Sequence, residues 1–441
     1  MSTCIQVNGH HLGPLKDSIR PLLQEAMAQL ECLKNRTCTG SEWAAWYHWP
    51  KISGFKTLEE IEVWKKNLVT SYDTVIVCGI GGSFAGSLAV TQALSHTFSS
   101  YLNDTQKFKP ILFAGHNLSE THLIELLELL DERNPIVTVI SKSGTTTEPS
   151  VAFRILRNYM EQRYGQDAQR RIVAITDQEK GVLRKISEKN QYQTFPIPND
   201  IGGRYSVLTA VGLVPLSLAG YPCEEILAGA DQVFQSLDDA PSLEHPCIEL
   251  AAVRKAAWEH DYRIDAFSYS NPKLTGFVEW WKQLFGESEG KEGKGLFPAG
   301  ICYSTDLHSL GQFLQEGPKN ILETFLKIKN PSSQFDHQVE KRLRVPRTGG
   351  VSDQLEYLEG KYIDEINMAA MEGAQKAHAE AGSPSIEISI PSLSPFTLGS
   401  LFAFFECSCA LSALLLGVNP FNQDGVEAYK KNLFAIMGKP N

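Results

Sequence analysis

The sequence offers little that could build a disulfide scaffold or a metal site. Its nine cysteines are odd in number and scattered, and no two form a Cys-x-x-Cys pair; the closest approach is Cys407-Ser408-Cys409, inside an apolar segment. Disulfide frameworks and structural zinc sites depend on regularly spaced pairs. We therefore expect buried, reduced thiols, no metal, and a reducing cytoplasmic compartment.

Positive charge is also scarce. The chain has 41 basic residues against 51 acidic ones, which gives a formal net charge of -10 at pH 7. This balance disfavours nucleic acid or an anionic membrane as a partner. A small anionic ligand remains compatible with it, because a local pocket can be positive within an acidic protein.

No secretory signal is recognisable, since residues 1–13 lack a basic stretch followed by an apolar run. One apolar run, residues 398–418, is long enough to span a bilayer. Glu406 lies near its middle, with Ser400 and Ser408 beside it. We predict a helix buried in a large core rather than a membrane span.

What the sequence does have is a regular alternation of strand-like and helix-like segments, in a chain of 441 residues that is long enough for two domains. The first series has Val- and Ile-rich runs at 74–78, 110–114, 136–140, 172–176 and 194–197. The second has strand-like runs at 266–269, 300–303 and 386–390, and helix-like segments at 273–285, 311–326 and 362–381. Such alternation predicts parallel sheets with helices on both sides.

We predict an α/β protein with two doubly wound parallel-sheet domains and helical N- and C-terminal segments. The predicted divisions are an N-terminal segment at 1–68, a first domain at 69–208, a helical connection at 209–244, a second domain at 245–420 and a C-terminal helix segment at 421–441. Residues 330–353 contain two prolines and two glycines among charged residues, so we expect an exposed insertion there.

Three loops rich in glycine or hydroxyl side chains follow strand-like runs, at 79–83, 141–147 and 200–206. In open parallel sheets, ligands bind beyond the carboxyl ends of the strands. In the first loop, the backbone amides of Gly81 and Gly82 and the hydroxyl of Ser83 would meet an anion at a helix N-terminus. The second and third loops add cations and hydroxyl donors, namely Ser141, Lys142, Ser143, Thr145, Thr146 and Arg204. The pattern predicts a phosphate site.

Two segments partly match nucleotide-binding motifs but lack residues that these motifs require. Phe84 occupies the third glycine position of the dinucleotide fingerprint, and no acidic residue follows the next strand. Residues 286–291 have three residues between their glycines and no Ser or Thr after the lysine, so a P-loop is not predicted. Thr146 or Thr147 is also expected to cap a helix with Pro149 in its first turn, which does not exclude a phosphate.

Four motifs together resemble the phosphoglucose isomerase family in its shorter bacterial form: residues 75–83, 141–146, 202–206 and 421–430. The resemblance covers nearly the whole chain. It implies two sugar-isomerase (SIS-type) domains and the reversible conversion of glucose 6-phosphate into fructose 6-phosphate, through a cis-enediol, in glycolysis and gluconeogenesis, without metal or cofactor. Asn422 and Asp424 depart from the family pattern, at positions where no proton chemistry is expected.

The resemblance also implies roles for individual residues. The phosphate would be bound by Ser83, Ser141, Lys142, Ser143 and Thr146. Arg204 would stabilise the enediolate, and Gln423 would contact the substrate.

The proton transfer needs a carboxylate base. Glu287 and Glu289 share the glycine-bounded segment 286–291, which we expect to be a loop, and their chemistry alone does not separate them. The resemblance favours Glu287. Opening of the sugar ring suits a histidine near neutral pH, and the resemblance assigns it to His308, assisted by Lys430.

The resemblance further implies a homodimer in which His308 is contributed across the interface.

A non-catalytic sugar-phosphate sensor would keep the phosphate loops but could lose the acid and base residues, whereas Glu287, His308, Arg204 and Lys430 are all present. A glutamine-dependent aminosugar synthase needs an N-terminal nucleophilic cysteine, and Cys4 is misplaced for that role. The isomerase remains the favoured interpretation.

Overall fold

The computed structural model describes residues 3–99, 107–239, 241–330 and 342–438, and these ranges contain two five-stranded sheets. The first sheet is parallel throughout and has the order β3-β2-β4-β5-β6. Its strands are β2 (Thr74–Cys78), β3 (Ile111–Ala114), β4 (Pro135–Ile140), β5 (Ile172–Thr176) and β6 (Gln193–Pro196).

The second sheet has the order β1-β10-β9-β7-β8 and is parallel except for β1, which pairs antiparallel to β10. Its strands are β1 (Gln6–His11), β7 (Ile264–Tyr269), β8 (Phe297–Cys302), β9 (Ile321–Ile328) and β10 (Ser385–Ile390). The two sheets confirm the predicted α/β fold class. The five domain divisions proposed above stay a prediction.

Helices connect the strands and cover the sheets. They are α1 (Lys16–Lys34), α2 (Phe55–Lys66), α3 (Gly82–Leu94), α4 (Glu120–Asp131), α5 (Thr147–Tyr164), α6 (Val182–Asn190), α7 (Ala210–Ala219), α8 (Cys223–Asp239), α9 (Pro246–Glu259), α10 (Thr275–Glu289), α11 (Gly311–Glu316), α12 (Ile363–Glu380), α13 (Pro395–Leu415) and α14 (Glu427–Ile436).

The central strands of the first sheet are buried on both faces, which explains their continuous Val and Ile content. Side chains alternate between the faces: Val75 and Val77 of β2 join the large core, whereas Ile76 and Cys78 join the cluster under α4, α5 and α6. Full burial of a Val or Ile side chain contributes about 1.5–3 kcal/mol. The two-sided apolar pattern therefore holds helices on both faces of the sheet.

The order of the first sheet positions the functional loops. The chain leaves β2 toward β3 on one side and then returns to the other side at β4. Ligands of open parallel sheets bind at such a reversal, outside the carboxyl ends of the strands. The loops at 79–81 and 141–146 follow β2 and β4, so both border this crevice.

Helix α13 is the long apolar segment of the sequence, and the structure confirms that it is a core helix. It is the one helix in the described ranges that is long and apolar enough to cross a bilayer, yet its most apolar window is completely buried within the protein. It packs against α1, α8, α9 and α10.

The prediction of a helix over residues 311–326 is wrong. Helix α11 ends at Glu316, and the chain then forms β9, the central strand of the second sheet. Glu323 and Lys327 are four residues apart and suggest the polar face of a helix. In the structure both are buried with partners: Glu323 accepts from Ser268 (2.7 Å), and Lys327 pairs with Glu387 (2.7 Å).

Two further features differ from the predictions. Strand β1 lies in the N-terminal segment that we expected to be helical, and it extends the second sheet through β10. Helix α10 continues to Glu289, so the segment carrying Glu287 and Glu289 is the last helical turn rather than a loop. Of the predicted insertion, residues 331–341 lie outside the described residues, and 342–353 are almost entirely exposed.

Candidate active site

Arg204 connects separate segments of the chain at the crevice and is buried (1% exposed). Its five N–H groups all donate to protein acceptors, which are Ser288 Oγ (2.8 Å), Glu287 Oε2 (3.3 Å), Gln423 Oε1 (2.9 Å) and the main-chain oxygens of Pro420 and Asn422 (3.1 Å for Asn422). A buried guanidinium needs hydrogen-bond acceptors for its N–H groups, since an unpaired charge in the interior is costly. The arginine therefore fixes the end of α10 and residues 420–423 around itself.

Close backbone packing places the Arg204 loop against the first glycine loop. A Cβ on Gly82 would lie 1.9 Å from the carbonyl oxygen of Gly203, and one on Gly81 would lie 2.8 Å from Gln283 Nε2. Gly81 also has a φ of 58°, a conformation that favours glycine. The N-terminus of α3 can approach both Arg204 and α10 only because these positions lack side chains.

Aromatic stacking anchors the same loop from the other side. Tyr205 is buried and stacks on Trp46 with a ring separation of 4.8 Å. Burial raises the pKa of the Tyr205 hydroxyl well above its ordinary value, so this group stays neutral. Tyr205 thus anchors the Arg204 loop without adding a charge beside the guanidinium.

Glu287 lies on the last turn of α10 and has a side chain that is 30% exposed. Its Oε2 accepts from Arg204, and its Oε1 accepts from Gln283 Nε2 at 3.2 Å. Gln283 is four residues earlier on the same helix, which places both side chains on one face. The result is an oriented carboxylate on a side chain that stays partly exposed.

Glu289, the alternative base, has a different environment. Its two carboxylate oxygens accept from Arg254 Nε (2.9 Å) and Nη2 (2.7 Å), and Arg254 also pairs with Asp265. All three side chains are buried. This bidentate pair joins α9, β7 and the end of α10, a structural arrangement with no exposed carboxylate edge.

The hydroxyl-rich loop after β4 is organised by its own side chains. Gly144 N donates to Ser141 Oγ at 3.0 Å, and the hydroxyls of Ser143 and Thr145 are 2.8 Å apart. Thr146 is the N-cap residue of α5 but makes no capping hydrogen bond with its side chain. The loop is therefore compact, and the Thr146 hydroxyl is not used for the helix cap.

Lys142 extends from this loop toward the segment that leads to Arg204. Its ammonium donates to the carbonyl oxygens of Asn199 (2.9 Å) and Pro198 (3.3 Å) and lies 4.7 Å from the centre of the Trp43 ring. Burial lowers the pKa of Lys142, with Asp177 and Asp200 opposing the shift. Lys142 thereby links the loop at 141–147 to the residues that directly precede the loop at 200–206.

A second lysine near Arg204 was not singled out from the sequence. Lys291 donates to the carbonyl oxygen of Asn419 and is half-buried. Burial, followed by repulsion from Arg204, lowers its pKa to about 8. Lys291 thus adds a titratable charge beside the segment that carries Gln423.

His308 and Lys430 are not joined to this group by any hydrogen bond or ion pair within the described ranges. His308 is exposed and follows β8, an edge strand of the second sheet, where Asp306 shapes its turn by accepting from Cys302 N at 2.7 Å. Lys430 pairs with Glu427 at 2.6 Å on α14. No residue of α14 is buried.

Among the described residues, no cluster of three or more His, Cys, Asp or Glu side chains could hold a metal ion. Five cysteines are buried and four are partly exposed, and all nine are free thiols.

The sequence did not predict Gln283, Ser288 and Lys291 as neighbours of the site. The four-residue spacing of Gln283 and Glu287 could have revealed their pairing if α10 had been extended past Gly286.

Comparison with known families matches residues 50–440 to Phosphoglucose isomerase. A glucose-6-phosphate isomerase of Alkaliphilus metalliredigens is 42% identical over 439 residues, which are 98% of this chain and 94% of the relative. A glucose-6-phosphate isomerase of Acetivibrio thermocellus is 42% identical over 412 residues, covering 93% of this chain and 90% of the relative.

Solved structures agree on the fold. A hypothetical protein of Thermus thermophilus superposes with a TM-score of 0.84 at 25% identity, covering 98% of this chain and 99% of that one. A glucose-6-phosphate isomerase of Chlamydia trachomatis gives a TM-score of 0.74 at 22% identity, over 95% and 85% of the two chains. With a family match over most of its length and relatives of 42% identity, this chain belongs to the phosphoglucose isomerase family.

Proposed function

We propose that this protein catalyses the reversible isomerisation of glucose 6-phosphate and fructose 6-phosphate through a cis-enediol intermediate. The observation that carries the proposal is the pairing of an accessible carboxylate, Glu287, with a buried and fully oriented cation, Arg204, at 3.3 Å. A base for the sugar carbons and a cation for the developing oxyanion are the two groups that this reaction needs.

Glu287 acts as the base that moves the proton between C1 and C2. Its carboxylate is held by Gln283 and Arg204 but keeps part of its surface free, whereas Glu289 is buried in its pair with Arg254. A positioned base contributes about 10²–10⁴-fold to the rate.

Arg204 stabilises the negative charge of the enediolate. All five of its N–H groups are engaged in the described structure, so one must exchange its acceptor for the substrate. Gln423 is the partner best suited to leave, because it is exposed, whereas the main-chain acceptors and Ser288 are fixed by the fold. Gln423 then contacts the substrate as it moves.

The phosphate group binds at the loops after β2 and β4. The backbone amides of Gly81 and Gly82 and the hydroxyl of Ser83 approach from the N-terminus of α3. The loop before α5 supplies the remaining donors, namely Ser141, Lys142, Ser143, Thr145 and Thr146. These loops flank the reversal of strand order, where a small anion is favoured by both helix N-termini.

His308, assisted by Lys430, opens the sugar ring, and His308 reaches the site from a second copy of the chain in a homodimer. The support is its exposure in the turn after the edge strand β8, together with two exposed large apolar side chains, Phe297 (70%) at the start of β8 and Phe313 (49%) on α11. A partner chain would cover such a surface. We place the enzyme in the cytoplasm, in glycolysis and gluconeogenesis.

Conversion of purified fructose 6-phosphate into glucose 6-phosphate, followed with glucose-6-phosphate dehydrogenase, tests the proposal. We expect turnover by the unmodified protein and by Glu292→Gln, which removes an exposed carboxylate five residues after Glu287. A protein that binds the sugar phosphate but does not convert it would overturn the proposal in favour of a sensor.

A further inference from the structure

A cavity of about 200 Å³ lies behind the hydroxyl-rich loop, between α5 and α6. Its walls combine the underside of the loop with apolar side chains and two arginines, and the lining residues that matter here are Ser141, Gly144, Phe153, Arg154, Arg157 and Leu183. The cavity shares Ser141 with the proposed phosphate site, but its lining includes neither Lys142, Arg204 nor Glu287. Lys142 leaves the loop toward Asn199 instead.

The cavity is apolar inside and positively charged at α5. Phe153 and Leu183 are buried in the cluster under the first sheet. Arg154 is exposed and has no hydrogen bond or ion pair within the described ranges. Arg157 is one turn further along α5; its Nε forms an ion pair with Glu161 at 3.4 Å but makes no hydrogen bond. Beside an apolar cavity, the unpaired guanidinium of Arg154 and the singly paired guanidinium of Arg157 suit an anion with an apolar body.

We propose that this cavity binds a small organic anion, with one carboxylate or phosphate group on a compact apolar body, and that its occupancy changes the affinity of the hydroxyl-rich loop for the sugar phosphate. The anionic group pairs with Arg154 and Arg157, and the apolar body contacts Phe153 and Leu183. The regulatory part of this inference rests on the proposed isomerase function, whereas the binding part does not.

Direct contacts connect the cavity wall to the loop. Val182 N, at the start of α6, donates to Ser143 O at 2.8 Å, and Ser150 on α5 donates to Gly144 O at 3.0 Å. A Cβ on Gly144 would lie 2.3 Å from Leu183 N, so the loop rests directly on α6. A ligand that changes the spacing of α5 and α6 must therefore move the loop.

Binding is tested on the full chain with benzoate and phenyl phosphate as anionic probes and benzamide as the neutral control. We expect the anions to bind and benzamide to bind more weakly. In R154Q/R157Q the affinity for the anions should fall at least about tenfold. Arg133→Gln, which changes an exposed arginine of the same domain outside the cavity lining, should leave it unchanged.

Coupling is tested by measuring KM for fructose 6-phosphate at saturating benzoate. We expect a finite change of at least about twofold with kcat unchanged, and the same factor in benzoate affinity at saturating sugar phosphate, because coupling between two sites is reciprocal. R154Q/R157Q should lose the change in KM and keep kcat.

Each alternative result overturns a defined part of the inference. Absence of binding by both anions up to about 10 mM, or equal binding by the wild type and R154Q/R157Q, removes the site. Complete displacement of benzoate by the sugar phosphate places the probe in the crevice instead. Binding at the cavity without any change in KM contradicts the proposed coupling. If the probes bind at the cavity but the protein has no isomerase activity, the binding site is supported and the proposed function is contradicted.

Discussion

Arg204 Nη1 donates to both Glu287 Oε2 and Gln423 Oε1, at 3.3 and 2.9 Å. This shared donor connects the proposed base, on the last turn of α10, with the segment that precedes α14. The guanidinium has no free N–H in the described structure, so a substrate oxyanion that binds Arg204, as proposed, must displace one of these acceptors. The carboxylate beside it remains oriented by Gln283 when that exchange occurs.

Replacing Gly82 with alanine should disturb this arrangement directly. The added Cβ would lie 1.9 Å from the carbonyl oxygen of Gly203, so the N-terminus of α3 must move away from the Arg204 loop. Overpacking of this kind costs about 1–3 kcal/mol, and we expect a lower Tm together with lost activity. Gly203→Ala is the matched control for stability, since nothing lies within 4 Å of its Cβ position. A Gly82→Ala protein with the wild-type Tm would show that the contact is not required.

The buried carboxyl of Glu406 should make the free energy of unfolding depend on pH. Burial raises the pKa of this carboxyl well above its ordinary value of about 4.5, and neither oxygen has a hydrogen-bond partner among the described residues. The folded protein therefore keeps a proton that the unfolded chain releases. Protonated Glu406 contributes to the free energy of unfolding at low pH, and this contribution is lost as the pH rises toward the folded-state pKa. The loss is about 1.4 kcal/mol per pH unit.

Glu406→Gln cannot ionise and should lack that dependence. The Tm of the variant relative to the wild type should increase between pH 5 and pH 8, as measured by thermal unfolding at matched ionic strength. If the difference in Tm stays constant over this range, the pKa of Glu406 does not differ between the folded and unfolded states.

Lys291 should affect the alkaline side of the pH profile. Its pKa of about 8 means that the ammonium beside Arg204 loses its charge as pH rises through that value. Because the substrate is an anion, kcat/KM should fall by up to about tenfold between pH 7 and 9. Lys291→Arg keeps the charge and should move this fall to higher pH, while Lys294→Arg, three residues later, should behave as the wild type. The same alkaline fall in Lys291→Arg would assign it to another group.

The proposed contribution of His308 from a partner chain can be tested by mixing subunits. Glu287→Ala and His308→Ala should each be inactive alone. In a hybrid dimer one site would combine an intact Glu287 with an intact His308, and the other would lack both. Random exchange makes about half of the dimers hybrid, so activity should return to at most about a quarter of the wild-type value. Verified hybrids that stay inactive would place His308 in a site of its own chain.

The sequence was most informative where one physical requirement dominated. Strand β2, buried on both faces, and the loop glycines Gly81 and Gly82, which permit close backbone approach, could be predicted because few residues satisfy those conditions. Strand β9 could not, because its buried charges Glu323 and Lys327 are satisfied by partners far away in sequence. A single sequence does not display such partners.

The candidate site shows the same division. Glu287 and Glu289 are equivalent in composition and neighbourhood along the chain, and only the tertiary partners, Arg204 for one and Arg254 for the other, distinguish an accessible carboxylate from a structural one. The end of α10 was missed because Gly286 suggested a loop, whereas helix packing maintains the helical turn beyond it. Positions of His308 and Lys430 relative to the crevice stay a prediction.

The central claim is that Glu287 moves the proton between adjacent carbons of the sugar phosphate. Its most direct measurement is the incorporation of deuterium from solvent at C2 of glucose 6-phosphate, followed by NMR in D₂O with the wild type, Glu287→Gln and Glu292→Gln. We predict incorporation by the wild type and Glu292→Gln, and a rate at least about 10²-fold lower in Glu287→Gln with the sugar phosphate still bound. Wild-type incorporation by Glu287→Gln would contradict the assignment.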